Sequence, residues 1–198
     1  MTTSAPLTAA VLRIAPHAIA TGDGYAERYM DLTRPTPEDI HLGDIARALS
    51  RLCRYTGHGA RFYSVAEHSV HCLRYAERHF SKIHPPAIHA SVLMHDATEA
   101  YLGDVSRPLK SALSAYRDLE ALVSTAISRR FGLNFQGCAA HIKKADRLML
   151  ATEKAALLPG AGHWPDLPAP DPETIIEGWA PDVAERTFLD CARELGFS

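Results

Sequence analysis

The densest chemistry in the chain lies in Leu93-Met94-His95-Asp96-Ala97-Thr98-Glu99, where an apolar approach delivers an adjacent imidazole and carboxylate, then a second carboxylate three residues on. A helix built only for packing rarely carries three such groups. On a continuous helix Glu99 falls four residues after His95 and three after Asp96, so it shares a face with both. Neighbouring side chains splay by about 100°, yet both can bend toward one cation held against the helix. A blander reading makes His95 a core histidine satisfied by Asp96, with Glu99 solvated. Two distant groups tip the balance: His68 in Glu67-His68-Ser69, and Asp146 in Ile142-Lys143-Lys144-Ala145-Asp146. Each is ordinary alone; the order His, His-Asp, Asp is specific as a set.

The elements that must position these groups are helical. Apolar residues recur at three and four through Ile45, Ala46, Leu49, Leu52 and Cys53, and through Ala66, Ser69, Val70, Leu73 and Ala76. The same period runs from Ile88 and Val92 up to Ala100, through Leu119 to Ile127, through Ala145 to Thr152, and from Ala184 to Leu195, which predicts six helices. Ser64-Val65-Ala66-Glu67 has the spacing of a capping box, and Pro85-Pro86 suits a helix start. Residues 1–40 are punctuated by Gly22, Gly24, Pro35 and Pro37, with room for a short strand pair. Pro159, Pro165, Pro168, Pro170 and Pro172 preclude a helix, so residues 159–181 are expected to form a surface excursion, with Trp164 a candidate to pin it. The expected architecture is a single-domain all-α bundle over residues 41–198 behind an irregular N-terminal flap over residues 1–40.

Composition narrows the function. With 198 residues, 46% hydrophobic and 22% charged, one domain can bury about 70% of its unfolded surface around a single core. A net charge of -2 supplies no global field for a nucleic-acid polymer or an anionic membrane. Cys53, Cys72, Cys138 and Cys191 form no Cys-x-x-Cys pair, which argues against a zinc ribbon and suits a reducing cytoplasm. The N-terminal run from Pro6 to Ala20 contains Arg13, Pro16 and His17 and is expected to be too short and interrupted for a membrane span or a signal peptide. Eleven histidines are the one oddity, and histidine is the commonest metal ligand.

The set His68, His95-Asp96 and Asp146, with Ser64-Val65-Ala66-Glu67-His68-Ser69, Ala97-Thr98-Glu99, Gly103-Asp104 and Pro108-Leu109-Lys110, resembles the HD-domain metal-dependent phosphohydrolases. The resemblance runs from about residue 40 to 158 and favours the small 5'-deoxynucleotidase and phage-type deoxynucleotide phosphohydrolase branch. It implies an HD-type bundle with metal ligation by His68, His95, Asp96 and Asp146, a catalytic glutamate at Glu99, and the Gly-Asp aspartate at Asp104. The Arg-aromatic pair that holds the nucleotide falls on Arg54-Tyr55, with Tyr where that branch has Trp. Arg61 and His58 are further candidates in the same loop, and Lys110, Lys143 and Arg107 are available cations.

Two neutral imidazoles and two carboxylates leave a divalent ion formally uncharged and, if six-coordinate, with two positions for water and a phosphate oxygen. The ion would acidify that water and polarise the phosphoryl group, while Glu99 shares the proton. HD relatives with two metals place extra histidine ligands between the His-Asp pair and the final Asp, whereas only His141 lies between Asp96 and Asp146, so the resemblance implies one divalent transition metal per chain (Zn, Co, Mn or Fe) rather than a pair. The expected reaction is hydrolysis of the 5'-phosphate of deoxynucleoside monophosphates by a metal-activated water. A triphosphohydrolase releasing triphosphate, for example from dATP, is the first alternative. A catalytically silent, metal-clamped ligand-binding domain is the second, and Glu99 with Asp104 argues against it because a clamp needs no acidic neighbour. The expected partner is a small nucleotide in the cytoplasm, with neither nucleic-acid polymer nor membrane; a homo-oligomer is left open.

Overall fold

The computed structural model describes residues 18–22, 28–80 and 86–198. Residues 1–17 and 23–27 of the expected flap, and Pro85 of the expected Pro85-Pro86 helix start, lie outside the described residues.

The flap contains a hairpin. Strands β1 (Ala18–Thr21) and β2 (Arg28–Asp31) pair antiparallel with Ile19 opposite Met30. Met30 is buried in the main core, and the Arg28 guanidinium lies 2.6 Å from Asp44, which fastens the hairpin to the first helix.

Among the described residues there are eight α-helices: α1 (Leu42–Arg51), α2 (Val65–His79), α3 (Pro86–Leu93), α4 (Glu99–Leu102), α5 (Arg107–Ala112), α6 (Ser114–Phe131), α7 (Phe135–Leu157) and α8 (Pro181–Glu194). The protein is an all-α single domain. Its centre is α2, which packs against α1, α3, α7 and α8. One apolar stripe was expected there, but burial extends round the helix and takes in Glu67, His68, Ser69 and His71 as well. Burying polar side chains costs stability unless they find partners inside, as Glu67 and His68 do. Two cores meet on it. Val65, Ala66, Val70 and Leu73 join α1, α6 and α8, whereas Cys72, Tyr75 and Ala76 join Ile88 and Val92 of α3 and Ala145 and Met149 of α7.

Three sequence expectations need correction. The predicted helix through Ala100 stops at Leu93, and residues 94–98 form turns before α4. Six predicted helices become eight, because α4 and α5 are too short to leave a periodic signature. The capping box is half formed: Ser64 Oγ accepts from the Glu67 N–H at 3.1 Å, but the Glu67 carboxylate turns to the backbone N–H groups of Gly178 at 2.9 Å and Trp179 at 2.6 Å. That choice serves the Pro-rich segment, which has no helix or strand of its own and needs external partners for its amides. Asp171 provides the second anchor, its N–H donating to the Thr152 hydroxyl at 2.9 Å and its carboxylate meeting Arg78 at 2.5 Å. The excursion ends at Ala180, since Pro181 opens α8 as its first residue.

Candidate metal centre

The site forms where α3 is released. After Leu93 the chain closes through i→i+3 bonds, from Ala97 N–H to Met94 O at 3.1 Å and from Glu99 N–H to Asp96 O at 2.9 Å. The Val92 carbonyl, which a continuous helix would commit to the Asp96 amide, accepts from His95 Nδ1 at 2.8 Å. This settles the tautomer of a neutral His95: with the proton on Nδ1, Nε2 presents a lone pair. His68, fully buried on α2, is fixed in the same way, because its Nδ1 is hydrogen-bonded to the Glu153 carboxylate.

Both Nε2 atoms therefore face a common point, 3.3 Å apart. Asp96 Oδ2 lies 3.2 Å from His95 Nε2 and 3.6 Å from His68 Nε2, and Asp146 Oδ1 from α7 lies 3.5 Å from His68 Nε2. Acceptor atoms gathered this closely repel unless positive charge offsets them. Edges of this length belong to a polyhedron whose corners lie about 2.0–2.2 Å from its centre, the distance of imidazole and carboxylate ligands from a transition metal. Cys72, one turn after His68, adds its sulfur 3.5 Å from His68 Nε2. The donor atoms of His68, Cys72 and His95 lie within 4.8 Å of one another, a cluster that could hold a metal ion.

Without an ion, protons take up the charge. Burial opposes protonation of His95, but Asp96 outweighs it and raises the pKa. Burial and Arg54 likewise oppose a charge on His68, which Cys72, Glu153 and Asp146 overcome. Asp96 is held far below the carboxylate range despite its burial by His95, His68 and Arg54, and Asp146 is lowered by His68 and His95 against the same burial.

Behind the donors sits Glu153, fully buried two turns beyond Asp146 on α7. Its carboxylate takes the His68 ring, the hydroxyls of Tyr55 and of Tyr63 (3.0 Å), and Arg54 Nε at 3.2 Å. Burial alone would raise its pKa, but Arg54 and His68 bring it down to about 2. Arg54 bridges to the donor set, with Nη1 3.4 Å from Asp96 Oδ2. Tyr55 and Thr56 follow it with φ of 56° and 55°, a left-handed stretch that is unfavourable for both residues and most of all for β-branched Thr56. Backbone strain of this kind clusters at functional sites.

A cleft of about 520 Å³ opens onto the donors, walled by Arg54, Tyr55, Asp96, Glu99, Asp104, Arg107, Lys110, Asp146 and Trp164. Glu99, at the start of α4, is nearly buried, and its Oε2 has no hydrogen-bond partner among the described residues. Burial, then Asp96 and Asp104, push its pKa up to about 9. Asp104 is half-buried in the same wall, and burial raises its pKa too. Lys110 reaches the cleft but is paired with Glu120 at 2.6 Å. Two expected phosphate contacts lie elsewhere. Arg61 is exposed with its guanidinium toward the Glu177 carbonyl at 3.5 Å, and Lys143 lines a separate groove with Lys144, Arg147 and Asp166. Arg61 follows the chain away from the cleft toward the Pro-rich segment, and Lys143 lies on the side of α7 that this segment covers. His58 is exposed and outside the cleft wall.

No protein-family model matches the chain. The uncharacterized protein YfdR of Escherichia coli (strain K12) is 38% identical over 162 residues, which cover 80% of this chain and 85% of YfdR. The chain belongs to the YfdR family. An uncharacterized protein of Rhodobacter capsulatus is also 38% identical, over 112 residues that cover 54% of this chain and 55% of that protein.

In this YfdR-family chain, reasoning from sequence passed over Glu153 and the position of Cys72. Glu153 had a signal: it lies seven residues after Asp146, so the two share a helix face, and α7 is otherwise apolar on that side at Ala145 and Met149. Cys72 had one as well, four residues after His68 on one helix face.

Proposed function

We propose that this protein is a metal-dependent phosphohydrolase of the HD type that removes the 5'-phosphate from deoxynucleoside monophosphates. One observation carries the reading: His68 Nε2 has acceptor atoms of His95, Asp96 and Asp146 within 3.3–3.6 Å, beside a cleft that also holds Arg54, Glu99 and Asp104. His68, His95, Asp96 and Asp146 would hold one divalent transition metal. Bound there, it would lower the pKa of a water and polarise the phosphoryl group.

The protein's own groups divide the remaining work. Glu153 and the Val92 carbonyl orient the two imidazoles by holding Nδ1–H, so that neither Nε2 is spent on a proton. Arg54, with Asp96 and Glu153 on its near side, offers its remaining N–H groups toward the cleft, where they neutralise charge on a phosphate. Glu99 has no hydrogen-bond partner to satisfy Oε2 and sits in the cleft wall, which suits it to hold or give a proton at the reacting oxygen. Asp104 beside it keeps that proton from leaving too easily.

Arg107, on α5 in the same wall, supports a second reading, in which further phosphates extend toward α5 and triphosphate is the leaving group. Metal-loaded protein incubated with matched ribo- and deoxynucleoside mono- and triphosphates separates the two. Inorganic phosphate from deoxynucleoside monophosphates is the expected product. Intact triphosphate with monophosphates untouched would replace the first reading with the second, and no turnover of either set would leave a metal-clamped binding domain.

A further inference from the structure

We propose that Cys72 is a sulfur ligand of the metal, so that the centre selects a thiophilic ion such as Zn²⁺, Co²⁺ or Fe²⁺ over Mg²⁺ and Mn²⁺. The inference rests on the reading of His68, His95, Asp96 and Asp146 as a metal centre and adds a donor to it. Cys72 is fully buried one turn after His68, and its sulfur approaches His68 on the metal-facing nitrogen, Nε2, rather than on Nδ1. The separation of 3.5 Å matches those from the same nitrogen to Asp146 (3.5 Å) and Asp96 (3.6 Å). His95 Nε2 falls within 4.8 Å of the sulfur, which closes a compact His-Cys-His triangle between α2 and the turn after α3. Two donors four residues apart on one helix face can reach one ion, and a Zn–S bond of about 2.3 Å spans these separations.

The other cysteines have no such setting. Cys138 is buried with its sulfur 3.9 Å from the Ala87 carbonyl, and Cys53 and Cys191 are partly exposed. Binding forms a metal–sulfur bond, and the thiol proton leaves to solvent, with no change of oxidation state. A thiolate beside two carboxylates adds charge and softness to the donor set. Soft ligands favour zinc and iron, whereas magnesium and manganese prefer oxygen.

The test loads the full-length protein with Co²⁺ and records its visible and near-ultraviolet absorption, alongside X-ray absorption of the Zn²⁺-loaded protein. Visible d–d bands report that cobalt is bound, whatever the ligands. A near-ultraviolet sulfur-to-cobalt band, and a zinc–sulfur shell at about 2.3 Å, report the thiolate. Both are expected, and in Cys72→Ser and Cys72→Ala the sulfur band should vanish while the d–d bands persist. Bound cobalt with no sulfur band, or a band that survives in folded Cys72 variants, would overturn the assignment and leave the four-ligand centre standing. Failure of Co²⁺ and Zn²⁺ to bind at all would overturn the centre itself. The wild-type spectra decide the question even if both variants fail to fold.

Discussion

The Glu153 carboxylate receives His68 Nδ1 across the interface of α7 and α2, so one buried glutamate fixes which nitrogen the imidazole turns toward Asp96 and Asp146. It also neutralises Arg54 and accepts from Tyr55 and Tyr63, joining four residues of the 54–68 region to α7. Its removal should therefore damage both stability and metal binding. Glu153→Gln keeps the shape but leaves Arg54 without its closest buried counter-charge, a loss of about 3–5 kcal/mol. For a chain of this length that lowers Tm by roughly 6–20 °C. Metal affinity should fall about 10–100-fold, as for other outer groups that orient a ligand. Thermal melts and a competitive metal titration check both; an unchanged affinity in folded protein would reduce Glu153 to a packing role.

Metal removal should destabilise the domain because the donors come from α2, the turn after α3, and α7. Chelation is expected to lower Tm, with recovery on adding back about one equivalent of divalent metal per chain. His95→Ala and Asp96→Ala should melt like the chelated wild type and show no response to metal. Two equivalents in an active sample would rule out a mononuclear centre.

The Pro-rich excursion makes a prediction in pH. Burial raises the pKa of Asp171, but the Thr174 hydroxyl, the Glu173 N–H and Arg78 outweigh it and hold it below its ordinary value. The folded state thus favours the carboxylate more than the unfolded chain does. Its contribution is complete above the unfolded pKa of about 3.9 and fades as pH falls through the lower folded value. Asp171→Asn should cost about 1–3 kcal/mol at neutral pH. The Tm gap between wild type and variant should narrow below about pH 4; a constant gap would mean that geometry rather than charge holds the segment.

The positions of α1, α2, α7 and α8 were legible because each carries an apolar stripe long enough to show its period. The interruption at residues 94–98 was not, since Met94 and Ala97 continue the apolar pattern while the hydrogen bonding changes. Nothing in residue type announces that the Val92 carbonyl is taken by an imidazole. The grouping of His68, His95, Asp96 and Asp146 was expected from residue type and order, and the structure places His95, Asp96 and Asp146 within 3.6 Å of His68 Nε2. Arg61 and Lys143 were misplaced because a cation's charge is visible in sequence but its direction depends on the backbone that carries it. Glu67 was read as half of a local cap, whereas its partners lie more than a hundred residues away at Gly178 and Trp179.

That misplacement gives a kinetic contrast among four cations. Arg54 and Arg107 line the cleft, whereas Arg61 and Lys143 do not. Arg54→Ala should lower kcat/KM by at least about 10-fold, equivalent to one charge-assisted hydrogen bond to phosphate. Arg107→Ala should act mainly on KM, and more on triphosphates than on monophosphates. Arg61→Ala and Lys143→Ala should leave both constants within about twofold of wild type. A large loss in either would mean that the substrate extends beyond the cleft described.

Glu99 bears on whether the centre is catalytic at all. It sits beside the donors but is not among the atoms that gather on His68 Nε2, and its Oε2 is buried without a hydrogen-bond partner among the described residues. A carboxyl group in that position costs stability, since an unpartnered buried oxygen forfeits its hydration. Burial and the neighbouring Asp96 and Asp104 raise its pKa to about 9 against the pull of Arg54 and His68, so near neutral pH the group carries a proton it can give. Glu99→Gln preserves volume and replaces the titratable carboxyl group with an amide that neither gives nor takes a proton near neutral pH. Metal content should remain at about one equivalent, and Tm should change little, because a carboxyl group with its pKa raised to about 9 is already neutral near pH 7, as the amide is. Turnover should drop by roughly 10²-fold or more at saturating substrate, with little change in KM. Metal analysis, melting and steady-state kinetics on the same preparation separate the outcomes. Loss of metal would make Glu99 a ligand, and near wild-type turnover with metal retained would show that proton transfer does not pass through it.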